Sequence, residues 1–250
     1  MKQENVAIIT GSGRGIGAAT ARLLSEQGYA VCINYKANQQ AAHALLDELH
    51  ANGVKAIAVK ADVSVEEEVM ELFHRVDHDL GRVTALVNNA SILMPQMRLD
   101  KMDATRISRL LQSNILSYFL CCREAVKRMS TIHGGYGGAI VNVSSVAART
   151  GSPGEYIDYA ASKGAVDTLT RGLATEVANE GIRVNCVRPG FIYTGMHADG
   201  GEANRVDRLS PSIPMQRGGQ PEEIAEAIAW LLSDKASYST GSFIDIAGGR

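Results

Sequence analysis

Residues 5–17, NVAIITGSGRGIG, decide how the rest of the chain is read. Val6, Ala7, Ile8 and Ile9 form a short apolar run, which predicts a buried strand over 6–9. A glycine-rich turn follows. Beyond it, Ala18, Ala19, Ala21 and Leu24 predict a helix. Backbone N–H groups at a helix start have no partner inside the helix and carry a partial positive charge. Gly11, Gly15 and Gly17 remove side chains where a phosphate-bearing ligand would press on the backbone. Strand, glycine turn and helix N-terminus, in that order, make a dinucleotide pyrophosphate site. The spacing Gly11-x-x-x-Gly15-x-Gly17 meets the GxGxxG form only loosely, with Ala18 where the last glycine would stand. On these residues alone, a tight connection without a ligand stays open.

The 250 residues suit one α/β domain spanning 1–250 better than two. Hydrophobic residues make up 45%, enough for a sizeable core, and charged residues 21%. A net charge of −2 gives no reason to expect a nucleic acid or an anionic membrane as partner. Cys32, Cys121, Cys122 and Cys186 lack metal-ligand spacing, so no metal is expected and buried free thiols are. The first strand begins at once, leaving no room for a signal peptide, and no apolar run reaches membrane-spanning length. A cytoplasmic protein is expected.

Working outward, strands are predicted at 30–34, 56–59, 84–87, 139–143, 182–187 and 242–246. Helices are predicted at 39–50, after Ser64, at 104–129 with a break near Asn114, at 155–180, and from Pro221 to Leu232. Ser64 with Glu67 three residues on reads as a capping box. Strands that are near-continuous apolar runs and alternate with helices predict a doubly wound, Rossmann-type parallel sheet covered on both faces. About seven strands are expected. Residues 188–220 are too long for a plain connection and read as an irregular substrate loop. In such a sheet, ligands gather beyond the carboxyl ends of the strands.

Tyr159 and Lys163 lie four apart on a predicted helix and share one face. A phenol with a pKa near 10 is a poor base at neutral pH, but a nearby cation favours its ionised form. The pair is suited to exchanging a proton with a carbonyl or alcohol oxygen, to which Ser145 adds a hydrogen bond. Tyr and Lys at this spacing also occur on many helices for packing alone, and Ser144 and Ser145 suit an ordinary turn.

Taken together, these residues resemble a known family. Residues 10–17 (TGSGRGIG), Asn88-Asn89-Ala90, Asn114, Ser145, Tyr159-Ala160-Ala161-Ser162-Lys163 and Pro189-Gly190 stand in the order and spacing of the short-chain dehydrogenase/reductases, over essentially the whole chain. The resemblance is closest to bacterial glucose 1-dehydrogenase-like members and uncharacterised oxidoreductases. It implies that Tyr159 is the general acid/base, that Ser145 polarises the carbonyl, and that Lys163 holds the nicotinamide ribose and depresses the tyrosine pKa. Asn114 would kink its helix and hold a relay water. Gly11, Arg14, Gly15, Ile16 and Gly17 would carry the pyrophosphate, Asp62 and Val63 the adenine. Asn88, Asn89 and Ala90 would line the cofactor, and Pro189, Gly190, Ile192 and Thr194 its carboxamide end.

Two positions depart from the family pattern. Ser91 stands where glycine is usual, at a cost of roughly 1 kcal/mol if the backbone there is left-handed. The interval from Ser145 to Tyr159 is one residue longer than the commonest one, with the extra residue in Ser152-Pro153-Gly154-Glu155. At the end of the second strand, Tyr35 takes the place of the carboxylate that would grip the adenosine ribose. With Lys36 beside it and Arg14 in the glycine turn, NADP(H) is expected over NAD(H).

The expected activity is hydride transfer between NADP(H) and a carbonyl or secondary alcohol: a small ketone, a sugar or a polyol. Segments 92–99, 152–157 and 191–215, with Met94, Met97, Met196, His197, Glu155 and Arg205, are expected to line the substrate. Family resemblance implies a homotetramer, which would cover the apolar strand near residue 246. A cofactor-sensing binding protein and a non-redox lyase or epimerase are the rival readings.

Overall fold

The computed structural model describes residues 5–250. The opening run forms β1 (Val6–Ile9), with all four residues buried. It lies in a seven-stranded sheet with β2 (Ala30–Tyr35), β3 (Ala56–Lys60), β4 (Ala85–Asn88), β5 (Gly138–Val143), β6 (Ile182–Pro189) and β7 (Phe243–Ile246). The spatial order is β3-β2-β1-β4-β5-β6-β7, and every pairing is parallel. The doubly wound Rossmann-type sheet expected from the alternation is therefore present. Its order reverses between β1 and β4, which opens a crevice there.

Alternate residues of each strand point to opposite faces. Ala7 and Ile9 join one apolar cluster with α1 (Gly15–Glu26), α2 (Gln39–Ala51) and α10 (Pro221–Leu232). Val6 and Ile8 join the other, with α3 (Glu66–Asp79), α5 (Ser117–Met129) and α7 (Ile157–Val177). Two-sided burial is why the strands read as unbroken apolar runs. All four cysteines are buried free thiols.

The long helix is interrupted where expected. α4 (Ala104–Leu111) gives way to a π-helical turn at Gln112–Leu116 before α5 begins. The remaining helices are short: α6 (Ala147–Thr150), α8 (Met196–Asp199) and α9 (Arg205–Leu209).

Three local expectations are corrected. Ser64 does not cap α3. Its hydroxyl donates to Asp62 Oδ1 (2.7 Å), and Val65 takes the cap position without a side-chain bond. Three glutamates in the first turn face the helix dipole instead. The helix expected from residue 155 starts at Ile157. The loop over 188–220 is not wholly irregular: β6 runs to Pro189, α8, α9 and a 3-10 turn at Ser210–Ser212 follow, and Ile192 bridges Gly219 to close its ends.

Candidate active site

Residues at and just beyond the carboxyl ends of β4, β5 and β6, with Ile16 of α1, line one cavity of about 350 Å³. Ser145, Tyr159, Lys163, Asn89 and Thr194 all line it. Chain segments far apart in sequence are thus brought together by the sheet.

The glycine turn is built for close approach. Gly11 and Gly15 hold left-handed backbone, with φ of 62° and 54°. A Cβ at Gly17 would lie 2.7 Å from Asn89 Nδ2 and from Ser12 Cα. No side chain caps α1, and no acidic residue occupies its first turn. The helix N–H groups are therefore left for an anion. Asn89 braces the turn through Nδ2, which donates to the carbonyls of Thr10 (2.9 Å) and Gly11 (3.1 Å). Asn88 donates to Asn142 Oδ1 (2.9 Å), a buried polar tie between β4 and β5.

At the end of β2, Tyr35 is buried in the core, edge-on to His43. Lys36 Nζ pairs with Asp62 Oδ2 at 2.5 Å. Desolvation pushes the Asp62 carboxyl up, but Lys36 and Ser64 outweigh it and hold it below its usual range. Val63 is buried in the cluster beside α3. Arg14 pairs with Asp199 of α8, so the two cations expected at a ribose phosphate both have acidic partners. Ile16, Pro189, Gly190 and Ile192 line the cavity, whereas Ala90 does not; its N–H donates to Thr10 Oγ1 (3.0 Å). A Cβ at Gly190 would meet Ala247 Cα at 2.8 Å, and one at Gly15 would meet Thr194 Cγ2 at 3.2 Å.

Ser145 and Tyr159 both line the cavity; the Ser145 hydroxyl accepts from Ala147 N (3.1 Å) and reaches the Pro189 carbonyl (3.5 Å). Ser144 is committed elsewhere: its hydroxyl donates to the Lys163 carbonyl (3.1 Å), a tie to α7. Lys163 is 1% exposed. Its Nζ donates to the Val143 carbonyl (2.8 Å) and the Tyr118 hydroxyl (3.1 Å), and lies 5.6 Å from the Tyr159 ring centroid. Desolvation pushes the Lys163 ammonium down to about 7, against the pull of Cys186 and Asp167.

That arrangement changes one expectation. In the protein alone the phenol is not depressed: desolvation pushes Tyr159 up to about 12, and Ser145 pulls it the other way. Its ring borders the cavity, yet the surrounding protein screens it from bulk water. The ammonium is spent on Val143 and Tyr118.

Asn114 sits at the π-helical turn and is fully buried. Its Oδ1 accepts from Ile92 N (2.8 Å), and its Nδ2 donates to Ile92 O (2.9 Å) and Ser162 Oγ (3.3 Å). The side chain thus clamps the strand that leaves β4 to the helix carrying Tyr159. Ser91, on that strand, does not have a positive φ, so serine meets no backbone strain there and the expected cost is absent.

The substrate wall differs in part from expectation. Met196, His197, Glu155 and Arg205 line the cavity, whereas Met94 and Met97 do not. Tyr118, Thr150 and Arg250 escaped the sequence reading. Tyr118 lies four residues after Asn114 and was open to the same spacing argument as Tyr159 and Lys163. Nothing local marks Arg250.

With this doubly wound parallel sheet, the chain belongs to the short-chain dehydrogenase/reductase family of oxidoreductases. Residues 11–250 match the family described as enoyl-(acyl carrier protein) reductase. The chain is 61% identical over 245 residues to the uncharacterized oxidoreductase YgfF of Escherichia coli, covering 98% of this chain and 99% of that one. It is 37% identical to the 3-oxoacyl-[acyl-carrier-protein] reductase FabG of Staphylococcus aureus, covering 100% and 99% of the two chains. A 3-oxoacyl-[acyl-carrier-protein] reductase of Synechocystis is 38% identical, covering 98% and 96%. Among the described residues no helix is long and apolar enough to cross a membrane.

Proposed function

We propose that this oxidoreductase transfers a hydride between NADP(H) and a carbonyl or secondary alcohol, with Tyr159 as general acid/base. The observation that carries the reading is that Ser145, Tyr159 and Lys163 line one cavity together with Ile16 of the glycine turn. The cradle fits a dinucleotide: a Cβ at Gly11 would lie 3.0 Å from Ala90 Cα, so bare backbone is required there. The bound cofactor supplies or accepts the hydride. The protein's residues do the rest.

Ser145 and Tyr159 both direct hydroxyls at one oxygen of the substrate. A tyrosine hydroxyl set at that oxygen is a proton donor when the oxygen gains electron density. In the other direction the phenol must lose its proton, and a pKa of about 12 opposes this. Lys163, one helical turn on, is the nearest cation to favour the ionised phenol once its charge is turned towards it. Asn114 holds Ile92 and Ser162, and so the spacing between the cavity wall and α7.

The test is turnover of a panel of ketones and alcohols with both nicotinamide cofactors, followed at the absorbance of the reduced ring. Net absorbance change is expected; an epimerase or a cofactor-sensing binding protein would show none.

The NADP(H) preference rests on Tyr35 in place of a carboxylate and on Lys36 and Arg14 beside the ribose position. Both cations must be drawn from Asp62 and Asp199 towards a phosphate. Lys36→Asp is expected to lower the NADPH-to-NADH ratio of kcat/KM about 10-fold, the worth of one charge-assisted contact. An unchanged ratio would remove Lys36 from the phosphate site. The same family reading carries a homotetramer in the cytoplasm, supported by exposed Leu116 and Phe119 on the π-helical turn and α5 and by Trp230 on α10.

A further inference from the structure

Two guanidinium groups line the catalytic cavity, Arg205 and Arg250, and they are not equivalent. The Arg205 side chain is 6% exposed and fully engaged. It donates to Glu155 and Glu202, and its guanidinium carbon lies 4.8 Å from the Tyr156 ring centroid. It is a tie between the turn before α7 and the loop that carries α9. Glu155 is the one carboxylate lining the cavity among the described residues, and Arg205 neutralises it.

Arg250 is exposed, and among the described residues it makes no ion pair. Its guanidinium carbon stands 4.8 Å from the Phe191 ring centroid. A cation stacked on an aromatic face keeps its N–H edges free for a further partner. Its placement is built into the backbone. Gly248 and Gly249 adopt φ of 65° and 93°. A Cβ at Gly248 would lie 2.8 Å from Ile213 Cγ2, and one at Gly249 3.0 Å from Pro214 Cβ. Met215 N donates to the Gly248 carbonyl at 3.0 Å. The double-glycine turn is thus packed on the substrate loop and delivers the next residue to the cavity.

Of the other basic groups on the wall, only the buried Nδ1 of His197 has no hydrogen-bond partner among the described residues. Lys163 is held by Val143 and Tyr118, and the His197 ring is bonded through Nε2 to the Ile192 carbonyl. What remains is one guanidinium without a counter-ion, in the same cavity as the Ser145–Tyr159 pair. We infer that the substrate carries a carboxylate, an oxo acid in reduction or a hydroxy acid in oxidation, and that Arg250 recognises it. This rests on the oxidoreductase reading above. A guanidinium meets a carboxylate through two parallel N–H···O bonds. The carbonyl carbon gains the hydride and its oxygen the proton of Tyr159, while the carboxylate is unchanged throughout.

The experiment compares 2-oxo, 4-oxo and 5-oxo acids of five or six carbons with their methyl esters, which remove the charge and add one methyl group. For at least one chain length the wild-type enzyme is expected to favour the acid in kcat/KM. Arg250→Gln is expected to lower the acid-to-ester ratio about 10-fold or more, and Arg250→Lys by less. Raising ionic strength should erode the wild-type ratio, because the group is exposed. A wild-type preference for every ester, or an Arg250→Gln variant that keeps the ratio, would overturn the inference while leaving the oxidoreductase reading intact. Absence of turnover with every acid and ester, in an enzyme that turns over a member of the ketone and alcohol panel, would overturn this inference alone; absence of turnover across that panel as well would sink the oxidoreductase reading, and this inference with it.

Discussion

Tyr159→Phe is expected to lower turnover of the best ketone about 10²–10⁴-fold, the usual worth of a positioned proton donor. The substitution removes one oxygen and keeps the ring, which packs beside Lys163. The melting temperature should therefore stay close to that of the parent. Cofactor affinity, measured by quenching or calorimetry, should change only a few-fold, since the glycine cradle is untouched. Turnover within 10-fold of the parent would mean that the proton comes from elsewhere. Ser145 is the neighbour whose loss should resemble this one, because it lines the same cavity and its hydroxyl is proposed to hold the same substrate oxygen.

The second large effect is on stability. Asp167, on α7 one turn beyond Lys163, is 5% exposed and accepts from Arg188 Nε (3.0 Å) and Nη2 (2.7 Å). Arg188, just before Pro189, also reaches Asp245 on β7, and its guanidinium carbon lies 4.2 Å from the Phe243 ring centroid. Removing one partner of a buried pair leaves the other charge uncompensated, at a cost of about 3–5 kcal/mol. Asp167→Ala should therefore lower the melting temperature by roughly 6–20 °C for a chain of this size. Asp245 still faces Arg188, which favours the lower end. The double variant Asp167→Leu with Arg188→Met should recover much of the loss, because apolar side chains of similar volume need no counter-charge. A single-variant loss below 2 °C would show that the pair is not the tie between α7 and β6 that its geometry indicates.

These ties matter to the chemistry through position. Ser144 bonds the Lys163 carbonyl, Asn114 bonds Ser162, and Arg188 bonds Asp167. All three partners lie on α7, so the helix bearing Tyr159 and Lys163 is fastened to β5, to the π-helical turn and to β6 in turn. The Arg106–Asp158 pair, with side chains 7% and 3% exposed, fastens its first turn to α4 as well.

The fold was legible because its signals are local. The inner strands β1, β2, β4 and β5 are buried on both faces and so read as apolar runs. Each helix shows its stripe, and the glycine turn after β1 marks the crevice. Asn114 was legible as a break, and Tyr159, Lys163 and Ser145 as a cluster through their place in a family pattern. The sequence alone thus determined the element order, the parallel sheet and the residues at its carboxyl edge, since periodicity, glycine spacing and helical phase are properties of neighbouring residues. The tertiary structure decided the backbone conformation at Ser91, the engagement of the Lys163 ammonium by Val143 and Tyr118, the pairing of Lys36 with Asp62 and Arg14 with Asp199, and the arrival of Arg250 in the cavity. Desolvation and the partners of a charge depend on which distant segments the fold packs around it, and Arg250 lies 91 positions from Tyr159 in the chain yet shares its cavity.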